Sequence, residues 1–265
     1  MAFALHVGVL SFRDMNRKQR LSQMVSAVVE ARNTDVPTLA AQFRVSHSTI
    51  RRDLELLEQQ RLVSRTHGGA STHASFNDLP LTYKTAQDAG EKRRIAQRAL
   101  TFLDGARVIG MTGGTTVTEF ARLLSGFDGL TIVTNALNVA THLVANPQFR
   151  VFAAGGEVRS SSQETVGPSA ESFLASYNID VAFIGVDGVH ATGCTTYDPV
   201  GARVNAVLHE QAKTTIVLAD ATKIRRVALA EVCPMSEVDV LITDDRAPQD
   251  ALEEIRAQGC QVLAV

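Results

Sequence analysis

The chain has 265 residues, 45% hydrophobic and 20% charged, with a formal net charge of −2, which suffices for a small domain beside a larger one with its own core. Trp is absent, so that core must rest on Val, Leu, Ile and Ala, and no segment approaches the ~20 apolar residues of a membrane span. Cys194, Cys233 and Cys260 lie far apart without C-x-x-C spacing, which speaks against a zinc or disulfide framework and fits three buried thiols in a reducing cytoplasm.

In chain order, residues 1–16 are expected to be disordered or to precede the true start. Ala2–Leu10 is apolar but short and lacks a basic leader, so it does not read as a signal peptide, and translation is expected to begin at Met15. Arg17 to Arg32 predicts a first helix with Leu21, Met24, Val25, Val28 and Val29 on its buried side. Asn33-Thr34-Asp35 follows as a turn with N-cap candidates, and Pro37 opens a short helix to Phe43. Arg44-Val45 turns the chain and Ser46 caps a third helix. Ile50, Leu54 and Leu57 fall on one face of it, while Ser48, Thr49, Arg51 and Arg52 point away from that face or flank it. Guanidinium groups pair with phosphates and base edges, and short hydroxyls permit close approach, so this is a helix-turn-helix whose later helix suits the major groove of double-stranded DNA. Downstream, Arg61–Thr66 alternates like a half-exposed strand and His67-Gly68-Gly69-Ala70 offers a turn. A two-stranded wing there would bring Arg65 and His67 to the phosphate backbone.

An isolated Arg-Arg pair is more often an ordinary solvated surface, and the charge distribution is what shifts the balance. Up to Ala70 there are ten Lys/Arg against six Asp/Glu, and beyond it sixteen against twenty-two. A basic head on an acidic body is the footprint of a nucleic-acid reader.

The run Val45-Ser46-x-x-Thr49-Ile50-Arg51-Arg52-Asp53-Leu54, followed by Leu57-Glu58 and then Arg65-Thr66-His67-Gly68-Gly69-Ala70, resembles the DeoR family of bacterial transcriptional regulators. The resemblance implies operator contacts from Ser46, His47, Ser48, Thr49, Arg51, Arg52, Arg65 and His67. One departure is Arg61, where the family usually has Gly; a left-handed Arg there would cost about 1 kcal/mol.

The head is expected over residues 17–70, a polar linker over 71–90 and a larger domain over 91–265. Glu91–Leu103 predicts an amphipathic helix. Arg107–Met111 then reads as a strand, Thr112-Gly113-Gly114-Thr115-Thr116 as a loop and Val117–Leu124 as a helix. Glycines let backbone N–H groups converge there, the helix start adds positive potential, and Thr hydroxyls add donors, which is chemistry for a phosphate. The loop matches neither a G-x-G-x-x-G fingerprint nor a P-loop. Further strands at 130–133, 150–153, 181–184, 215–218 and 238–242 end in polar or glycine loops. Helical stretches at 138–143, 169–176, 203–213 and 248–258 separate most of them. The pattern predicts an α/β fold with a mainly parallel sheet and a ligand site beyond the carboxyl ends of the strands.

This half is similar to the sensor domain of the same family, through Gly114-Thr115-Thr116, Thr134-Asn135, Gly155-Gly156, Gly185-Val186-Asp187-Gly188, Thr195-Thr196, Ala219-Asp220-x-x-Lys223 and Ile242-Thr243-Asp244. The resemblance implies a fold shared with ribose-5-phosphate isomerase and CoA transferases, and a phosphorylated sugar as effector. It places the phosphate at Gly113–Thr116, the sugar against Asn135, Asp187 and Thr196, and a cation at Lys223. Thr112 and Gly156 complete the expected effector site. Thr112 stands where many members have Asp, and Asn205 where many have Lys. Ala202–Asn205 and Asn135–Ala140 resemble the branch that regulates N-acetylgalactosamine and galactosamine use, implying an amino-sugar phosphate. Neither cofactor nor metal is expected, and the partners are operator DNA, the effector and further copies of the chain as a homodimer or homotetramer. Two alternatives stay open: a sugar-phosphate isomerase or deaminase with Asp187 or Asp220 as general base, and an effector-independent DNA-binding oligomer. Of the histidines, His190 and His209 lack evident carboxylate partners and read as surface or satisfied residues.

Overall fold

The computed structural model describes residues 17–60, 62–72, 81–85 and 87–265. The expectations for residues 1–16, for Arg61 and for part of the linker (73–80 and 86) lie outside the described residues; elsewhere in 71–90 the linker expectation is corrected, since Leu81–Lys84 forms a short helix and the next helix starts at Ala89. The chain divides into two compact units, Met1–Gln87 and Asp88–Val265.

The first unit runs α1 (Arg17–Ala31), β1 (Asn33–Asp35), α2 (Val36–Phe43), α3 (His47–Gln59), β2 (Ser64–Thr66), β3 (Gly69–Ser71) and α4 (Leu81–Lys84). Its core is Leu21, Met24, Val25 and Val28 of α1, Leu39 and Phe43 of α2, and Ile50, Leu54 and Leu57 of α3. Asp35 caps α2 by accepting the Thr38 N–H at 2.7 Å, and Pro37 occupies its first turn. Arg44 makes the turn in a left-handed conformation, φ 53°.

The wing differs from expectation. It has three strands in the order β1-β3-β2, antiparallel throughout, because Asn33–Asp35 extends and pairs with Gly69–Ser71. The two glycines of the turn have separate duties. Gly68 adopts φ +98°, and a Cβ on Gly69 would fall 2.0 Å from the Thr34 carbonyl oxygen. The expected alternation over 61–66 also fails. Leu62 and Val63 are both buried, so the strand shortens to Ser64–Thr66, which is exposed along its length.

The second unit holds α5 (Ala89–Ala99), β4 (Val108–Met111), α6 (Thr115–Leu123), β5 (Thr131–Thr134), α7 (Leu137–Leu143), β6 (Arg150–Ala153), β7 (Glu157–Arg159), β8 (Glu164–Val166) and α8 (Pro168–Leu174). It continues with β9 (Ile179–Gly185), β10 (Gly188–His190), β11 (Gly193–Thr196), α9 (Pro199–Glu210), β12 (Ala212–Leu218), β13 (Ala230–Pro234), β14 (Val240–Thr243), α10 (Gln249–Arg256) and β15 (Gln261–Ala264). Seven strands form one sheet in the order β15-β14-β12-β9-β4-β5-β6, with every neighbouring pair parallel.

Alternation along the strands divides the core in two. Val181, Phe183, Ile216 and Leu218 face α5, α6 and α7, while Ala182, Ile184 and Val217 face α8, α9 and α10. The sheet is therefore a doubly covered parallel layer, as the α/β pattern required. A β7–β8 hairpin, a β10-β11-β13 sheet and the terminal strand β15 are additions the pattern did not predict. Cys194, Cys233 and Cys260 are free and buried, as expected. Among the described residues no helix is long and apolar enough to cross a membrane.

At the amino-terminal end of the sheet, Asp180 accepts the N–H groups of Arg107 (3.1 Å) and Val108 (3.0 Å) and pairs with Lys213 at 2.8 Å. The Lys213 hydrogen bond first, then those two N–H groups, hold its carboxyl down to about 2 from an ordinary 3.8. A depressed carboxyl stabilises the fold above its unfolded value, and the contribution is lost as pH falls through the folded one. Asp180→Asn should therefore lower stability near neutral pH by about 1–2 kcal/mol, given partial screening by solvent. In denaturant titrations the gap to wild type should close as pH drops from about 4 to about 2. A gap constant across that range would contradict the assignment.

Candidate nucleic-acid and effector sites

Ser46 begins the exposed face of the first unit. It sits in an extended conformation, and its Oγ accepts the Thr49 N–H at 3.2 Å while lying 2.8 Å from Ser48 Oγ and 2.9 Å from Thr49 Oγ1. Its hydroxyl is thus spent on the helix start. His47, Ser48, Arg51 and Arg52 are exposed, and Thr49 is half-buried. The spacing of Ser48, Arg51, Arg52 and Glu55 puts them on one outer face of α3. Arg65 does not stand free: its guanidinium lies 3.6 Å from Glu55, and its N–H donates to Glu58 at 3.2 Å, so it fastens the wing to α3. His67 is exposed in the wing turn.

Asp53, inside the motif but not among the expected contacts, is the buried member of this helix. Its carboxylate accepts from Arg17 Nε at 3.1 Å and from Arg20 Nε at 2.8 Å, tying α1 to α3. Its position among Ile50, Leu54 and Leu57 was legible in the same three-and-four spacing.

In the second unit the expected effector residues Gly113–Thr116, Asn135, Gly156 and Asp187 all fall at carboxyl ends of strands of the main sheet. The loop after β4 turns into α6 at Gly114, φ +111°. Thr112 belongs to the scaffold rather than to an open pocket. It is buried, and its Oγ1 accepts the Gly185 N–H at 2.9 Å and donates to the Gly113 carbonyl at 3.2 Å. Gly185 in turn has no room for a side chain, since a Cβ would lie 2.6 Å from the Gly113 carbonyl oxygen.

Asn135 is buried, donates through Nδ2 to the Thr165 carbonyl at 3.2 Å and leaves Oδ1 without a partner. Gly156 packs against β8, where a Cβ would meet the Val166 carbonyl oxygen at 2.8 Å. Asp187 and Thr196 are brought together, with Thr196 Oγ1 donating to Asp187 Oδ2 at 2.6 Å and the Tyr197 N–H at 3.3 Å.

Lys223 stands elsewhere. It follows β12, which lies two strands from β4, or about 10 Å at the usual strand spacing. Among the charged groups around Lys92, which is buried on α5 in register with Ile95, Ala96 and Ala99, are Lys223 and Asp220. Burial pushes the Lys92 ammonium below its ordinary value, against the carboxylates of Asp220 and Asp88. Beside them, burial works against ionisation of Asp244, yet Arg246 and the Ala221 N–H hold its carboxyl below the usual range.

Glu164, also unexpected, accepts the Gly113 N–H through Oε1 at 2.9 Å. It lies in the polar run Ser160–Gln163, Glu164, which carries no periodicity that marks it. His209 is satisfied, as expected, although it does have a carboxylate partner: Nδ1 lies 2.8 Å from Thr215 Oγ1 and Nε2 3.1 Å from Glu237.

A family model for the DeoR C terminal sensor domain matches residues 87–245, and one for the DeoR-like helix-turn-helix domain matches residues 20–76. The chain is 33% identical over 253 residues to a candidate aga operon transcriptional repressor of Escherichia coli O157:H7, covering 93% of each. It is 30% identical over 249 residues to the glycerol-3-phosphate regulon repressor of Escherichia coli K12, covering 94% of this chain and 99% of that one. Among solved structures it is similar to ribose 5-phosphate isomerase A of Methanocaldococcus jannaschii, with TM-score 0.38 and 18% identity over 52% of this chain and 55% of that one.

Asp53→Asn should destabilise the first unit by about 2–3 kcal/mol, since it leaves the half-covered Arg20 without its counter-charge. Chemical denaturation of the full chain would show an earlier first transition with the second unchanged. An unshifted first transition would contradict the role given to Asp53.

Proposed function

The chain belongs to the DeoR family of transcriptional regulators, and on that footing we propose that it represses genes for the breakdown of a sugar and is released by a phosphorylated form of one. The observation that carries the DNA half is the outer face of α3, where Ser48, Arg51 and Arg52 stand exposed on a helix whose opposite side is core. In this reading the helix enters the major groove, with Ser46, His47, Thr49 and His67 along the phosphates and Arg65 bracing the wing. Homodimers or homotetramers would present paired heads to repeated or palindromic half-sites. A regulator of chromosomal genes works in the cytoplasm.

For the effector, we place the phosphate on the N–H groups of Gly113–Thr116 and the sugar toward Asn135, Asp187 and Thr196, with Lys223 as a more distant cation after β12, two strands from β4. The unpartnered Oδ1 of Asn135 supports a ligand donor there, because a buried acceptor left without a hydrogen bond is costly. The similarity to a candidate aga operon repressor, with the Ala202–Asn205 stretch, supports an amino-sugar phosphate. An enzyme reading needs a free general base. Asp187 is instead held by Thr196 and Tyr197, and Asp220 caps the turn at Ala221–Lys223 through Thr222. Ligand binding alters repression only if the DNA-competent and incompetent states bind the sugar with different affinities.

Arg52→Ala should weaken specific operator binding by at least ~1 kcal/mol while leaving sugar binding intact. A mobility shift unchanged by that substitution would count against the helix assignment. Thr115→Ala should keep DNA binding and blunt release by effector; normal release would argue against the phosphate loop, and no release in either protein would favour an effector-independent oligomer. In thermal-shift titrations, amino-sugar phosphates should raise the melting temperature more than ribose, fructose or glycerol phosphates. Equal shifts across the panel would remove the amino-sugar assignment.

A further inference from the structure

The anion loop proposed above already has an occupant at its first donor. Glu164 Oε1 accepts the Gly113 N–H at 2.9 Å, and a Cβ on Gly113 would fall 2.5 Å from Glu164 Cδ. The carboxylate therefore lies flat on the loop, and glycine at position 113 is what gives it room.

The β7–β8 hairpin holds it there. Glu164 bridges to Ala136, the Leu137 N–H donates to the Gln163 carbonyl at 2.8 Å, and the Thr165 N–H donates to the Asn135 carbonyl at 2.8 Å. Gln163, the residue before Glu164, sits in the left-handed region at φ 59°, a conformation that a non-glycine residue keeps where its surroundings enforce it. A strained backbone and the two inter-segment hydrogen bonds that make up that bridge thus converge on one carboxylate placed against one N–H.

One N–H cannot serve a carboxylate and an anionic ligand oxygen together, and two negative charges at that separation repel. We infer that Glu164 is a built-in competitor for the anion loop, so that an anion seats on Gly113–Thr116 at the expense of the ionised Glu164 carboxylate. This rests on the proposed phosphate position and adds to it the residue that sets how tightly, and at what pH, the site fills. The charged groups facing Glu164 are Arg159 on β7 and Asp187 after β9. Burial pushes the Glu164 carboxyl up and Asp187 acts in the same direction, while the Ser162 hydroxyl, then the Gly113 N–H and Arg159, oppose them. Acidification neutralises the competitor, so anion binding tightens as pH falls.

Sulfate is the probe, because it stays fully ionised where phosphate titrates. Calorimetric titration of the full chain should show sulfate affinity rising as the pH is lowered from mildly alkaline toward the ordinary carboxylate range, because the Glu164 carboxyl is raised. Glu164→Gln should bind sulfate at least about fivefold tighter than wild type at the upper pH, the low end of typical coupling between competing groups. Its pH slope should also be flatter, because the competing carboxyl is gone from the variant. Saturable sulfate binding of equal affinity and slope in both proteins would overturn the competitor and leave the anion loop standing. Absence of saturable binding in both, at either pH, would overturn loop and competitor together. The wild-type pH trend stands independently should the variant fail to fold: a flat trend also refutes the inference.

Discussion

Parallel strands end in backbone groups that no neighbouring strand can take up, and buried polar groups of that kind must find partners. In the second unit side-chain hydroxyls and amides supply several of them. Thr112 Oγ1 takes the Gly185 N–H, Thr134 Oγ1 donates to the Met111 carbonyl at 2.6 Å and accepts the Ala136 N–H at 3.0 Å, and Thr165 Oγ1 donates to the Ala154 carbonyl at 3.0 Å. These staples join the ends of β9, β4, β5 and β6 to the β7–β8 hairpin. The carboxyl edge of the sheet is consequently a framework of threonine and asparagine before it is a ligand site.

That framework explains which parts of the sequence could be read correctly and which could not. Thr-Gly-Gly-Thr-Thr between a strand and a helix signals converging N–H groups, and the structure puts the loop there. The residue types do not say whether a threonine hydroxyl faces a ligand or a neighbouring strand. Thr112 and Thr134 turn inward because the backbone at strand ends needs them more, and no spacing rule separates the two uses. Glycines mislead in the same way: Gly185 and Gly188 serve close approach, to Gly113 and to Arg226, rather than ligand access. Glu164 was illegible because the β7–β8 hairpin, with strands of three residues each, carries neither helical nor alternating periodicity. Lys92 was legible in principle, since it repeats the inward spacing of Ile95, Ala96 and Ala99 on α5.

In the head the motif was easier to read, because a helix face is a strong signal. The pattern of Ile50, Leu54 and Leu57 locates the core side of α3 and, by exclusion, the arginines outside it. The wing was read less well. Three-residue strands are too short for alternation to register, and β1 forms only because Gly69 lets the Thr34 carbonyl come close. The pairing partner, not the local sequence, makes Asn33–Asp35 a strand.

The threonine staples and the Glu164 carboxylate meet at Gly113 through different backbone atoms, and on the proposed anion position this decides where a ligand would act first. The Gly113 carbonyl accepts from Thr112 and packs on Gly185, so that side of the peptide is bound into the sheet. The Gly113 N–H, by contrast, leads to Glu164, and from there through Gln163 and Thr165 to Leu137 and Asn135 at the start of α7. At the anion position proposed above, loss of this hydrogen bond would bear on the hairpin and on the entry to α7 and not on the sheet. The route is a contiguous set of hydrogen bonds, the kind of element that can adopt two discrete arrangements. On the proposed anion position, the β7–β8 hairpin is therefore the first element a ligand would displace, with the seven-stranded sheet as its support.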